Sequence, residues 1–216
     1  MLAASPQGCE IGVMSRSTLI ILVTLALAFA ALTGLAVKRG ILQAPSQTVA
    51  IGGPFQLVDQ AGRPADEKRL KGKWSAVFFG FTYCPEACPT TLLALGQTEK
   101  LLGPRAKDFQ TVFISVDPAR DTPAALNSFL GNSAYPRHVV GLTGSDAQVA
   151  KAAQAYHVFY QKAGEGPGYT VNHSTVTYLM SPRGRFVCPL PYGAPPAVMA
   201  DKIAAAMKAG AGATRC

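Results

Sequence analysis

Two cysteines separated by three residues stand in the segment FTYCPEACPTT, residues 81–91. Thiolates bind soft metals and attack disulfides, so Cys84 and Cys88 could hold a metal ion or act as a redox pair. If the segment is helical, positions i and i+4 lie on one face, about 5–6 Å apart. That distance also permits a disulfide, although such a staple would close a very short loop and add little stability. The spacing alone therefore leaves three interpretations open: a metal site, a redox pair and a structural disulfide.

The elements on either side of the pair favour reactive thiols. The nearly continuous apolar run at residues 75–83 predicts a strand covered on both faces. Residues 90–102 predict a helix that stops at Gly103 and Pro104. The positive end of a helix dipole and its free N–H groups stabilise a thiolate. We therefore expect a lowered thiol pKa at this strand-to-helix turn.

A third metal ligand must come from elsewhere in the chain, which has three histidines. His173 lies in YTVNHSTVTYLM, just before a predicted inner strand; a lone histidine at such a position is usually a surface or capping residue, and a metal ligand is the alternative. His157 follows a predicted helix and is interpreted as a packing residue or a partner of the helix C-terminus. His138 is predicted to be a solvated loop residue.

The remaining pattern predicts an α/β fold. Strands and helices alternate early and a hairpin comes late, which indicates a mixed sheet with helices on both faces. The predicted strands are two short ones in residues 55–66, then 111–117 and a hairpin of 174–180 with 185–190. The predicted helices follow Thr122–Pro123, follow the capping box of Ser145 and Gln148, and occupy residues 195–209.

An uncharged apolar stretch at residues 18–37 predicts a single transmembrane helix. Twenty helical residues reach roughly 30 Å, the thickness of a bilayer core, and exceed the apolar region of a cleaved signal peptide. The predicted organisation is then a tail at 1–17, the anchor at 18–37, a linker at 38–50, a globular domain at 51–210 and a flexible tail at 211–216. Met14 looks like a more natural start of translation than Met1, and a start at Met14 would remove Cys9.

Composition narrows the functional classes. The formal charge is +8, but no compact run of Lys and Arg appears, which argues against a nucleic-acid partner. Five scattered cysteines do not make a disulfide framework. One basic residue precedes the anchor and two follow it, which favours a cytoplasmic side for the domain.

Several motifs together resemble the Sco (SenC) family of copper chaperones for cytochrome c oxidase. They are FGFTYCPEACPTTL, FISVDPARDTP, GLTG and NHSTVTYLMSPRGRF, in that order within residues 50–208. The resemblance implies a thioredoxin-like fold, a membrane anchor and a copper site of Cys84, Cys88 and His173. It also implies an inner-membrane protein whose domain faces the periplasm, against the charge count.

The donor set agrees with the copper that the resemblance implies. Two thiolates suit soft Cu(I), and an imidazole nitrogen suits both Cu(I) and Cu(II). A structural zinc site would require four protein ligands, and the sequence offers three credible ones. The resemblance also implies that Asp117, at the end of a predicted strand, lies beside the metal site and orients its ligands without binding the metal. The alternative role for Asp117 is a turn cap before Pro118.

Three functions follow as hypotheses. The chain could deliver copper to the binuclear copper site in the copper-binding subunit of cytochrome c oxidase. It could instead be a thiol-disulfide oxidoreductase that keeps the cysteines of that subunit reduced. Other copper carriers or thiol reductases are the further partners expected. A peroxidase-like or redox-sensing relative of thioredoxin is the third.

The remaining residues are given structural interpretations. Arg120 and Asp121 are predicted to form a local pair. Cys188 is predicted to be an inert thiol in a buried strand. Cys216 ends the flexible tail and is predicted to be available for an intermolecular disulfide.

Overall fold

The computed structural model describes residues 15–38 and 50–216. Contacts divide the chain into two units, Met1–Val49 and Ala50–Cys216. The predicted tail and linker lie mostly outside the described residues, as do Met14 and Cys9. The first unit is represented by the helix α1, and the second by the rest of the fold.

Helix α1 covers Arg16–Lys38, so it extends slightly beyond the predicted apolar stretch at each end. None of its residues is buried, and its large apolar side chains are exposed. Its 23 residues correspond to roughly 34 Å of helix. It is long and apolar enough to cross a membrane by length and composition.

The second unit alternates strands and helices. Its helices are α2 (Ala87–Leu102), α3 (Pro123–Leu130), α4 (Asp146–Ala155) and α5 (Pro196–Ala209). Its strands are β1 (Gln56–Asp59), β2 (Pro64–Asp66), β3 (Trp74–Gly80), β4 (Phe109–Ser115), β5 (Val139–Thr143), β6 (Tyr160–Ala163), β7 (Thr170–His173), β8 (Thr177–Met180) and β9 (Phe186–Leu190).

Seven of these strands form one mixed sheet in the order β2-β1-β5-β4-β3-β8-β9. Strands β3, β4 and β5 run parallel, whereas β1 and β8 join this group antiparallel. The early hairpin β1–β2 and the late hairpin β8–β9 are confirmed. Strands β6 and β7 pair with each other in a separate two-stranded sheet, which the sequence did not predict.

Helices cover the sheet on both faces. Thr122 and Ser145 cap α3 and α4 through their side chains, as predicted. Buried residues of α3 and α4 join one apolar cluster with the central strands. Helices α2 and α5 pack on each other and enclose a second cluster with β3, β8 and β9. The predicted mixed sheet flanked by helices is therefore confirmed.

The edge at which β3 and β4 end positions the residues of interest. Gly80 and Ser115 are the last paired residues of these parallel neighbours, so the segments after them start side by side. The predicted strands at 75–83 and 111–117 were too long at this edge, because the chain turns away directly after Gly80 and Ser115. Cys84 and Asp117 consequently lie in neighbouring loops.

Candidate metal centre

Cys84 lies in the turn between β3 and α2. Its backbone N–H donates to the carbonyl of Phe81, 3.2 Å away, which closes the turn. Its side chain lies almost wholly inside, with the residue 8% exposed. Pro85 follows directly and restricts Cys84 to extended or turn backbone, so the helix cannot begin at Cys84 itself.

Cys88 lies in the first turn of α2, which begins three residues earlier than predicted, at Ala87 rather than position 90. The residue is fully buried. Its backbone N–H, one of the free donors at the helix start, points to the Sγ atom of Cys84 at 3.4 Å. The expected contact between a thiol and the helix N-terminus is thus present.

His173 ends strand β7 and is half-buried. Its Nε2 atom lies 3.7 Å from the Sγ atom of Cys88. Its Nδ1 atom lies 2.9 Å from the carbonyl oxygen of Ser174, which can only accept a hydrogen bond. The Nδ1 atom therefore carries the proton, and the lone pair of a neutral imidazole is left on Nε2, facing the sulfurs.

The three side chains converge on one spot. The two sulfurs and an imidazole nitrogen all lie within 4.8 Å of one another. The two sulfurs come from a loop and from the helix that follows it, whereas the imidazole comes from a strand 85 positions beyond Cys88. The cluster has the size of a metal site with three ligands.

The two thiols have opposite acidities. Hydrogen bonds from the Cys88 side chain and from the backbone N–H groups of Cys88 and Glu86 lower the pKa of Cys84 to about 4, despite partial burial. The hydrogen bond to Cys84 and deep burial raise the pKa of Cys88. At neutral pH the metal-free pair is therefore a thiolate beside a thiol.

Apolar groups surround the cluster. The ring of His173 contacts the edges of Phe81 and Phe78, with centroids 5.7 and 6.2 Å apart. Gly80 lies directly beneath Cys88, because a Cβ atom at this position would lie 2.7 Å from Sγ. Sequence reasoning missed Gly80; its place at the end of a buried strand, four residues before Cys84, was the available signal.

Asp117 is buried in the loop that follows β4. Its carboxylate accepts a hydrogen bond from the hydroxyl of Tyr169 at 2.5 Å and forms an ion pair with Nε of Arg120 at 2.6 Å. Its recorded hydrogen bonds do not reach Cys84, Cys88 or His173. The carboxylate binds Tyr169 and Arg120 instead.

The predicted pair of Arg120 and Asp121 is wrong. Arg120 pairs with Asp117, whereas Asp121 is fully buried and points elsewhere. The Asp121 carboxylate accepts hydrogen bonds from the hydroxyls of Thr82 and Ser115, each at 2.6 Å. Burial raises the pKa of Asp121. This carboxyl ties the loop two residues before Cys84 to the end of β4.

The other two histidines lie outside the cluster. His157 is exposed and has a positive φ of 53°, just beyond the end of α4. His138 was predicted to be solvated, but its Nδ1 atom lies 2.9 Å from the carboxylate of buried Glu99. This pairing replaces solvent on one side of the imidazole.

The predictions for Cys188 and Cys216 are wrong. Cys188 of β9 forms a disulfide with Cys216, with Cα atoms 5.9 Å apart. Cys188 is therefore not a free thiol, and Cys216 is bonded within the chain. Cys84 and Cys88 are the free cysteines of the part of the chain that the structure describes.

A comparison with protein families decides the affiliation. The SCO1/SenC family model matches residues 43–208, which is most of the chain. This chain belongs to the SCO1/SenC family. The resemblance proposed from the sequence motifs is confirmed.

Relatives and solved structures agree with this affiliation. The chain is 42% identical to Arabidopsis thaliana protein SCO1 homolog 1, mitochondrial, over 71% of this chain and 45% of the relative. It is 38% identical to protein SenC of Rhodobacter capsulatus, over 73% of this chain and 71% of the relative. The chain thus spans about half of the Arabidopsis relative and most of SenC.

The fold has a close match among solved structures. The structure of Bradyrhizobium japonicum ScoI with copper bound superposes with a TM-score of 0.65 at 42% identity, covering 70% of this chain and 96% of that chain. The expected thioredoxin-like fold is confirmed by this likeness together with the mixed sheet described above.

Proposed function

We propose that this chain is a membrane-anchored copper carrier that holds the metal on Cys84, Cys88 and His173. The observation that supports it most strongly is the convergence of two sulfurs and one nitrogen within 4.8 Å. The copper-bound state of the relative ScoI supports copper as the metal. Helix α1 would provide the anchor.

The chemistry of the donors fits copper better than zinc. Soft thiolates prefer Cu(I), and imidazole is acceptable to both oxidation states. A structural zinc site would need a fourth protein ligand. Two thiolates and Cu(I) carry a net charge of −1, which the free N–H groups at the start of α2 would offset.

A site with three protein ligands also suits transfer. An acceptor could add its own ligand to the metal and then displace the ligands of this chain one at a time. Cys84, in a loop and 8% exposed, is more accessible than fully buried Cys88 and would be displaced first. The recipient that the family affiliation suggests is the copper-binding subunit of cytochrome c oxidase, with the domain on the periplasmic side of the inner membrane.

Asp117 would orient the centre indirectly. It holds the hydroxyl of Tyr169, and Tyr169 lies four residues before His173 on the same hairpin. A carboxylate that fixes the hairpin carrying a ligand would limit the movement of that ligand as well.

The acidity of Cys84 supports a second candidate, a thiol-disulfide reductase. The Cys84 thiolate would attack a disulfide of the oxidase subunit and form a mixed disulfide, releasing one thiolate of the subunit. Cys88, once deprotonated, would attack the Cys84 sulfur and release the second thiolate. The subunit would gain two electrons, and Cys84 and Cys88 would become a disulfide. This reaction does not require His173.

A cellular assay separates the two functions. Full-length protein, His173→Ala and His157→Ala would each be expressed in a bacterium that lacks its own Sco protein, and assembled cytochrome c oxidase would be measured. The carrier function predicts failure only for His173→Ala. Normal assembly by His173→Ala, with no copper bound, would overturn the carrier function and support the reductase.

A further inference from the structure

The hairpin that carries His173 is separate from the main sheet. Strands β6 and β7 pair only with each other, so no strand hydrogen bonds attach them to the edge where Cys84 and Cys88 lie. The contacts of His173 with Phe78 and Phe81 are apolar and not directional in the way that ladder hydrogen bonds are. The buried side chain of Val171 adds apolar contact with the cluster that contains both cysteines, so directional contacts between the hairpin and the rest of the domain must come from polar groups.

Arg120 joins the hairpin to the loop after β4. Its Nε atom pairs with Asp117, and its Nη1 atom donates to the carbonyl oxygens of Tyr169 at 2.9 Å and Pro167 at 3.4 Å. The hydroxyl of Tyr169 donates to the same carboxylate. The side chain of Arg120 is only 14% exposed, so these charge-assisted contacts are largely shielded from solvent.

The same guanidinium group contacts the cysteine loop. It lies 3.6 Å from the ring centroid of Tyr169 and 4.5 Å from that of Tyr83, the residue before Cys84. Both distances are within the range of a cation–π contact. Arg120 therefore touches all three segments: the loop of Cys84, the loop of Asp117 and the hairpin of His173. We call Tyr83, Asp117, Arg120 and Tyr169 the Arg120 clamp.

Lysine could not replace Arg120 in these contacts. The guanidinium group is planar, so it can stack on aromatic rings while donating in its own plane to Asp117 and to backbone carbonyls. An ammonium group is a compact point charge and cannot make both sets of contacts at once. Thr82 and Asp121 hold the cysteine loop independently of the clamp.

We propose that Arg120 is a positioning residue that holds the His173 hairpin against the two cysteines. The proposal rests on the proposed copper site. Loss of the clamp would let the imidazole move away while the sulfurs stay in place. Binding of Cu(II), which draws more on the imidazole, would then weaken more than binding of Cu(I) to the two thiolates.

The test compares Arg120→Lys with Arg63→Lys in the full-length protein in detergent. Arg63 also pairs with an aspartate, Asp59, but in the β1–β2 hairpin. In the metal-free protein, we expect backbone amides of residues 160–173 to exchange hydrogen about tenfold faster in Arg120→Lys, the effect of losing one charge-assisted hydrogen bond. Arg63→Lys should leave them unchanged.

Copper binding supplies the second readout. We expect Arg120→Lys to weaken Cu(II) affinity about 10–100-fold and to reduce the nitrogen coupling in its electron paramagnetic resonance spectrum. Wild-type behaviour of Arg120→Lys in both exchange and Cu(II) binding would overturn the proposal. If Arg120→Lys does not fold, Asp117→Ala decides, because it removes the carboxylate that both Arg120 and Tyr169 bind. Faster exchange of the hairpin supports the clamp, and unchanged exchange overturns it.

The two proposals can fail separately. If the wild-type protein binds no copper, the carrier function is wrong, whereas hydrogen exchange still measures whether Arg120 holds the hairpin. If the wild-type protein binds copper with a nitrogen ligand and Arg120→Lys matches Arg63→Lys, only the clamp is wrong.

Discussion

The chain contains two cysteine pairs in contrasting environments. Cys84 and Cys88 are free, four positions apart and beside an imidazole. Cys188 and Cys216 are bonded to each other, 28 positions apart, with one partner buried in a sheet strand and the other in the exposed C-terminal segment. The first pair has the free N–H groups of a helix start and a third ligand. The second pair links the C-terminal segment to strand β9.

The contrast shows that environment, rather than cysteine spacing, separates a reactive pair from a structural one. The hydrogen bond from the Cys88 thiol and those from N–H groups at the helix start lower the pKa of Cys84, which keeps a thiolate available. The disulfide joins the last residue of the chain to strand β9 and closes a long loop. The predictions below test whether the two pairs have these separate roles.

The largest expected effect is on Cu(I) binding. Cys84→Ser and Cys88→Ser should each lose stoichiometric Cu(I) binding, because a hydroxyl is a poor ligand for a soft ion. Cys188→Ser and Cys216→Ser should bind Cu(I) like the wild type. Competition titration with a coloured Cu(I) chelator measures this. Retained binding in Cys88→Ser would contradict the assignment of the pair.

The next effect is on stability. Removal of the disulfide by Cys216→Ser should lower the free energy of unfolding by about 3.5 kcal/mol, as the chain-entropy relation gives for a loop of this size. Thr214→Ser, in the same segment, should change it by less than about 0.5 kcal/mol. Urea denaturation under non-reducing conditions measures both. Equal stabilities would show that the second pair is not structural.

A smaller effect is expected from packing beneath Cys88. Gly80→Ala would place a methyl group 2.7 Å from the Cys88 sulfur and 2.9 Å from the ring of Phe113. Overpacking of this kind costs about 1–3 kcal/mol and should displace the sulfur, so Cu(I) affinity should fall as well. Gly212→Ala, near Cys216, meets open space and should change neither. Urea denaturation and chelator competition measure the two quantities. A Gly80→Ala protein with wild-type stability and wild-type Cu(I) affinity would contradict this expectation.

The smallest effect is a proton count. Above about pH 4 the Cys84 thiol has already lost its proton, whereas the raised pKa of Cys88 keeps that thiol protonated at pH 7. Binding of Cu(I) at pH 7 should therefore release about one proton from the pair, and about two below pH 4. Calorimetry in buffers of different ionisation enthalpy, performed on His173→Ala to exclude the imidazole, measures this number. Release of two protons at pH 7 would contradict the acidity assigned to Cys84.

Much of the fold could be predicted because its strong patterns are local. The buried runs of β3 and β4 and the capping residues of α3 and α4 are visible in the sequence. Strands β6 and β7 could not be predicted, because YQKA and TVNH are short and largely exposed. Their pairing depends on the tertiary position of the hairpin.

The site could be predicted only in part, because it too depends on the tertiary positions of segments that are distant in sequence. Cys84 and Cys88 stand in one motif, but only the family resemblance connected them with His173. Adjacency in sequence suggested that Arg120 pairs with Asp121, whereas the chain buries Asp121 and turns Arg120 toward Asp117. The bond between Cys188 and Cys216 depends on where the chain end returns to the sheet, which local patterns do not encode.

The coordination of bound copper tests the central claim most directly. X-ray absorption spectroscopy of full-length protein, reduced at Cys84 and Cys88 and loaded with one equivalent of copper, should show two sulfur ligands and one imidazole nitrogen. His157→Ala should give the same spectrum, and His173→Ala should lose the imidazole contribution and keep both sulfurs. An imidazole signal that persists in His173→Ala, or a wild-type protein that takes up no copper, would contradict the account.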